Sequence, residues 1–265
     1  MIPHLTVSGL YQYPIKSCRG ITLTEAALTP YGLEHDRHWM VVDARGRFLT
    51  QRRFPRMALI RAAPGAEELT IEAPDMPILS LPMAGEGELA VRVWGFEGPA
   101  LDAGPEAAIW FSEFLGVECR LAAATPALHR RVDEHYGEGE VMFADGFPCL
   151  LIGQASLDLL NHKLPEPISM DRFRPNIVVS GSEPHAEDGW RRIRIGEVVF
   201  RVVKPCSRCT VPLVDQTTGE RGEEPTPTLA RYRTGDDGEI YFGQNLIHES
   251  SEGVLRLGDP VTVLE

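Results

Sequence analysis

The sequence predicts a mainly β protein of the α+β class with a few short helices, its second half reading as β-barrel architecture. Three observations carry that expectation. The 265 residues include 25 glycines and 21 prolines, above ordinary globular usage, which favours turns over long helices. Short runs of alternating apolar and polar residues recur between those turns. One stretch alone holds a clear helical stripe.

In chain order, residues 5–15 alternate loosely around Pro14, and residues 20–28 alternate more clearly. Trp39–Asp43 and Phe48–Gln51 flank Ala44-Arg45-Gly46-Arg47, a hairpin signal with glycine in the turn. Strands follow at Leu69–Ile71, Ile78–Leu81 and Leu89–Trp94. The first helix starts at Pro105, where a missing N–H costs nothing, and its stripe of Ala107, Ile109, Trp110, Phe114 and Leu115 ends at Gly116. Polar Thr125–Glu140 reads as a long loop, Phe147–Ile152 as a buried strand and Ala155–Leu164 as a short helix. Strand-like runs then cover Ile177–Ser180, Ile193–Ile195, Val198–Lys204, Thr210–Val214, Glu239–Phe242, Val254–Leu257 and Val261–Leu264. A helix over Pro227–Tyr232 would take Thr226 as N-cap.

Composition excludes several classes. With 38 acidic against 26 basic residues, the net charge of −12 speaks against binding nucleic-acid polymers or docking on membranes through a polybasic patch. It leaves room for a local basic pocket. The N-terminus shows no basic stretch followed by an apolar one, and no apolar run approaches the 18 or so residues of a membrane span. Five cysteines, an odd number with Cys18, Cys119 and Cys149 standing alone, do not make a disulfide scaffold; a reducing, cytoplasmic compartment is expected.

The sharpest local feature is Lys204-Pro205-Cys206-Ser207-Arg208-Cys209-Thr210. Its Cys-x-x-Cys pair could hold zinc, but no second pair supplies the remaining ligands. A redox dithiol should open a helix, and the following Thr-Val-Pro-Leu-Val suits none. Two buried structural thiols, or one thiolate on a soft metal with Arg208 and Lys204 nearby, remain open. Elsewhere, Tyr13-Pro14-Ile15-Lys16-Ser17-Cys18-Arg19-Gly20 places Lys and Ser in a strand-ending turn able to cradle phosphate. Asp36-Arg37-His38-Trp39-Met40 puts an acid–base pair before an apolar strand. In Arg172-Phe173-Arg174-Pro175-Asn176, an extended chain would point Arg172, Arg174 and Asn176 to one side, guanidiniums for phosphate and an amide for a heterocycle edge. Each segment also has an ordinary reading as solvated turn, surface pair or charged edge. Dinucleotide, Walker A, Gly-x-Ser-x-Gly and His-Glu-x-x-His motifs are absent from the sequence.

Taken in order, these segments, with Phe173-Arg174-Pro175-Asn176-Ile177-Val178-Val179-Ser180-Gly181 for the third, resemble MOSC-domain proteins with an N-terminal MOSC β-barrel domain. That group contains the mitochondrial amidoxime reducing component and its bacterial relatives. The resemblance spans residues 4–264 and implies an N-terminal MOSC-associated β-barrel domain over 1–122 and a MOSC domain over 123–265. It implies a molybdenum cofactor, with Cys209 as metal ligand and catalytic residue. Cofactor contacts carry over to Lys16, Ser17, Arg37, Arg174, Asn176, Ser207 and Arg208. Asp145 opens a further contacting turn, in which Gly146 and Phe147 replace the small hydroxyl residues of eukaryotic members. Arg233 and Gln244 sit in segments that line the pocket in relatives.

The implied reaction removes oxygen from small N-hydroxylated substrates. No ferredoxin-type Cys-x4-Cys-x2-Cys or haem-attachment motif occurs, so the expected partner is a separate electron donor, a flavin reductase or an iron–sulfur or haem protein. MOSC domains also end molybdenum cofactor sulfurases, so the alternative expectation is a cofactor or sulfur carrier without its own turnover.

Overall fold

The computed structural model describes residues 4–265, among which twenty strands and three α-helices are found. The largest sheet has eight strands in the order Ile21–Leu23, Thr6–Gln12, Ile177–Ser180, Cys149–Gly153, Tyr241–His248, Val198–Ser207, Arg192–Ile195 and Val261–Val263. All its ladders are antiparallel except Cys149–Gly153 beside Ile177–Ser180. That parallel step needs a crossover, which helix Gln154–Lys163 supplies. Fully buried Glu187 receives hydrogen bonds from the Gly153 amide and the Ser156 hydroxyl, pinning the return chain to the helix N-terminus.

The sheet curls without closing into a continuous barrel ladder. Thr6–Gln12, the second strand in that order, returns toward the last: Thr6 bridges Pro260, and the Val7 amide donates to the Asp259 carbonyl at 3.0 Å. A core of Leu10, Leu151, Ile177, Val179, Ile193, Phe200 and Leu246 fills the concavity.

A second sheet, ordered Trp39–Asp43, Cys119–Ala123, Phe96–Asp102 and Glu86–Val93, packs with a three-stranded sheet of Arg61–Pro64, Glu68–Glu72 and Leu79–Pro82. Helix Pro105–Leu115 closes that core with Trp110, Phe111 and Phe114. It ends as its sequence predicts, Gly116 adopting the left-handed conformation. Most expected strands are present, with shifts of a few residues at their ends.

Four differ. Phe48–Gln51 makes only one bridge, Phe48 to Val42, although Gly46 turns with φ 72° as expected; a Cβ there would meet the Ala90 carbonyl at 2.2 Å. Thr210–Val214 is a 3-10 turn over Val211–Leu213, since Pro212 cannot donate to a ladder. Met170–Phe173 is another such turn, leaving Arg172 and Arg174 off the extended path. The short third helix covers Thr226–Arg233 with Pro225, rather than Thr226, at the N-cap. Strands Phe96–Asp102 and Cys119–Ala123 are additional to the sequence expectation.

The two sheets meet along residues 13–19 and 36–39. Ile15 bridges Trp39, the Arg37 amide donates to the Tyr13 carbonyl at 2.8 Å, and the Lys16 amide donates to Trp39 at 2.7 Å. This junction carries two of the four sequence segments singled out above.

Candidate functional site

A cleft opens at the junction and encloses about 930 Å³ of unfilled space, counting its mouth. Lys16, Ser17, Arg37, Asp145, Arg174, Asn176, Ser207, Arg208 and Cys209 all line it. Nine of the eleven residues expected from sequence therefore converge, although they come from five separate stretches of chain.

Its floor is cationic and stacked. The Arg37 and Arg174 guanidinium carbons lie 4.3 and 4.2 Å from the centroid of the buried Tyr13 ring. Arg174 donates from Nη1 to the Cys18 carbonyl, while its Nη2 is buried without a partner. Burial and the neighbouring Arg37 charge push the Arg174 pKa down to about 10. Arg37 is held the other way: burial opposes its charge, but Asp36 beside it more than compensates. An anion would supply what Arg174 lacks.

Ser17, Arg37 and Arg174 have φ of 65°, 49° and 57°. Non-glycine residues rarely adopt that left-handed region, so three in one cleft mark a backbone held there by tertiary contacts rather than by local preference. Arg174 reaches the cleft because it caps the 3-10 turn in this conformation, and not through strand alternation.

Lys16 is buried and donates from Nζ to the Phe143 carbonyl at 2.8 Å and to the Asp145 carboxylate. Loss of water lowers its pKa against the pull of Asp145. The Asp145 side chain faces the open cleft, 75% exposed. Crowding on its protein side would raise its pKa, but Lys16, the Trp94 indole N–H at 3.0 Å and Arg37 together hold the carboxyl well below the usual range. Asn176 is spent internally: its Oδ1 accepts from Arg37 Nη1 and the Leu150 amide, and its Nδ2 donates to the Tyr11 carbonyl. It orients Arg37 rather than offering a free amide.

Cys206 and Cys209 both line the cleft; Cys209 is exposed and Cys206 is half-buried against an apolar cluster. Burial pushes the Cys206 thiol up against the opposing charge of Arg208. Arg208 itself is clamped, Nε donating to the Phe242 carbonyl at 2.8 Å and Nη1 to Phe173 at 3.0 Å. Cys18, Cys119 and Cys149 are free and buried in the packed interior. Among the described residues no group of three or more His, Cys, Asp or Glu is placed to share a metal.

Arg233 and Gln244 are not in the cleft wall. Both turn to Asp188, at 2.7 Å each. For Gln244 the reason is strand alternation: in Tyr241–His248, Asn245 faces the cleft and Gln244 the other side, while Arg233 ends the third helix. Sequence reading also missed Phe48, Thr50 and Arg52 in the wall. Phe48 and Thr50 fall in a run read only as a hairpin arm, and Arg52 has no local signal.

A cleft lined by cations, with an orphaned guanidinium nitrogen and one exposed thiol, fits a phosphate-bearing cofactor that carries a soft metal. The fold and this site define a MOSC-class protein: the MOSC N-terminal beta barrel domain family matches residues 4–118 and the MOSC domain family matches residues 138–262. The mouse mitochondrial amidoxime-reducing component 1 is 37% identical over 98% of this chain and 82% of its own length, and the human protein 36% over 98% and 83%. A zebrafish molybdenum cofactor sulfurase is 32% identical over 97% of this chain, which covers 34% of that longer protein. The chain belongs to the MOSC family that includes the amidoxime-reducing components.

Proposed function

We propose that this protein binds a molybdenum cofactor in the cleft and reduces N-hydroxylated compounds; among its relatives are proteins named amidoxime-reducing components. The observation that carries the reading is the convergence of Lys16, Arg37, Arg174 and Arg208 with exposed Cys209 in one cleft of a chain whose net charge is −12. Arg174, with Arg37 and Lys16, would hold the anionic end of the cofactor. Ser17, Asp145 and Ser207 would contact its polar body, and Asn176 would keep Arg37 in place. Cys209 would ligate the metal. When bound, the cofactor supplies two-electron chemistry at that metal. The net reaction breaks the substrate N–O bond, consumes two electrons and two protons, and releases the oxygen as water.

The electrons would come from a separate donor protein. Five free cysteines accord with a reducing, cytoplasmic setting, and among the described residues no helix is long and apolar enough to cross a membrane. Two modules, 1–122 and 123–265, remain our division of the chain, although strands Thr6–Gln12 and Ile21–Leu23 pair within the sheet built mainly from the second.

The test loads the protein in a host that makes the cofactor, measures molybdenum, and follows benzamidoxime reduction with a reconstituted flavin or haem donor. Molybdenum near one per chain with donor-dependent benzamidine formation is expected. Full occupancy without turnover across several donors would favour the carrier reading, to which the sulfurase relative also points.

A further inference from the structure

The hairpin joining Glu86–Val93 to Phe96–Asp102 breaks a local rule beside the cleft. Val93 pairs with Phe96, so Trp94-Gly95 is a two-residue turn. Its positive φ, 54°, falls on Trp94 while the adjacent Gly95 has none. Such turns place glycine where φ is positive, because a bulky side chain there is strained. The strain is maintained by what the ring does: its indole N–H donates to Asp145 at 3.0 Å, its face lies 4.8 Å from the Arg52 guanidinium, and it meets the Phe48 ring edge-on at 5.0 Å. The ring is nevertheless 48% exposed.

Trp94 and Phe48 wall a second compartment, which adjoins the cofactor cleft through the shared lining residues Phe48 and Thr50. Arg53 lines this compartment, and Arg52 stands at its junction with the cleft. Arg47 and Arg92 also reach it but are paired with Asp43 and Glu97. Neither Arg52 nor Arg53 has a carboxylate within ion-pair distance among the described residues. One guanidinium over the exposed Trp94 ring and a second lying on Phe54, neither paired with a carboxylate, suit a flat ring bearing an anionic group.

We propose that Trp94, Phe48, Arg52 and Arg53 form a substrate subsite that accepts an aromatic N-hydroxylated compound carrying a carboxylate or similar anionic substituent. The inference rests on the reductase reading for the reaction but not for the binding. The flat ring lies against Trp94 and Phe48, and the anionic group is met by the two arginines. The strained turn keeps the indole at the junction, where a glycine would leave the compartment unwalled.

The experiment compares benzamidoxime with 4-carboxybenzamidoxime on the molybdenum-loaded protein, by kcat and KM and separately by calorimetric binding. The wild type should bind the carboxylated compound about tenfold more tightly, the worth of one charge-assisted contact. Arg52→Gln/Arg53→Gln should abolish that preference, bringing the two compounds to equal affinity by calorimetry, since only the charged substituent gains from the guanidiniums. Trp94→Gly should weaken both ligands, with the relief of the turn offsetting part of the stability lost with the ring contacts. Equal affinity of the wild type for the two compounds, or a preference that survives the double arginine variant, overturns the subsite and leaves the reductase reading intact. Arginine-dependent binding with no turnover of either compound upholds the subsite and overturns the reductase reading instead.

Discussion

Arg37 donates from Nη2 to the backbone carbonyl of Arg174 at 3.2 Å, and both guanidiniums pack on the one Tyr13 ring. Two cations held this close repel each other, and the Coulomb cost grows as water is excluded. Because burial and Arg37 bring the folded pKa of Arg174 down to about 10 from 12.5, the folded state carries a penalty at every pH below about 10. The penalty fades only as pH rises from that value toward 12.5. At physiological pH a bound anion is what removes it.

Arg174→Met therefore separates holding the fold from holding the ligand. It loses the hydrogen bond to the Cys18 carbonyl but also relieves the repulsion, so the cofactor-free protein should keep its stability to within about 1 kcal/mol. Molybdenum retained after gel filtration should fall about tenfold or more. Differential scanning calorimetry and elemental analysis read the two effects separately. A variant that melts much earlier yet keeps its metal would assign Arg174 to the fold alone.

Asp145 is the one carboxylate on buried Lys16. Asp145→Asn leaves that ammonium with a carbonyl partner only. Breaking a buried ion pair costs several kcal/mol, but solvent reaches the Asp145 side, so a loss of roughly 1–2 kcal/mol at pH 7 is expected. A carboxyl whose folded pKa is depressed contributes stability above its unfolded value and loses it as pH falls. The difference between wild type and variant should be constant above about pH 5 and shrink steadily below about pH 4. Urea titrations at pH 7 and pH 3 check this; an unchanged gap at both would mean the pair stabilises nothing.

How much of this was legible in the sequence depends on how local each cause is. Trp39–Asp43 is a strand of apolar and β-branched residues next to a glycine turn, and it folds as read. Phe96–Asp102 was missed because Gly98 and Pro99 break its pattern; Gly98 leaves room for the Phe96 ring, which a Cβ would meet at 2.6 Å. The cation convergence was legible because each of Lys16, Arg37, Arg174 and Arg208 sits in a distinctive motif. The conformation that delivers Arg174 was not, since its partner Cys18 lies 156 residues away. Gln244 and Asn245 differ by one step of strand alternation, and the bulged pairing with Val198–Ser207 that fixes this register leaves no trace in the sequence.

Asp188 tests that distinction. It gathers Arg233 and Gln244 away from the cleft, and Arg233 Nε in turn donates to the Tyr241 carbonyl at 3.0 Å. Asp188→Asn should cost about 1–3 kcal/mol by loosening the start of the strand that carries Asn245. A double-mutant cycle with Arg233→Gln should return a coupling of about 1 kcal/mol or more. Molybdenum content of the folded fraction should not change. Loss of metal with stability intact would return Arg233 and Gln244 to the cofactor site.

The two cysteines of Cys206-Ser207-Arg208-Cys209 stand in different surroundings, and that difference decides which should ligate the metal. Cys206 packs with Leu150, Phe173 and Phe242 in an apolar cluster, where an ionised sulfur is penalised. Cys209 is exposed at the cleft, free of that packing. Cys209→Ser should abolish molybdenum-linked activity and remove the thiolate-to-metal absorption of loaded protein, with little change in melting temperature. Cys206→Ala should keep its molybdenum and lose about 1 kcal/mol of packing stability instead. Elemental analysis and visible spectra of both variants check the pair, and the reverse pattern would move the ligand to Cys206.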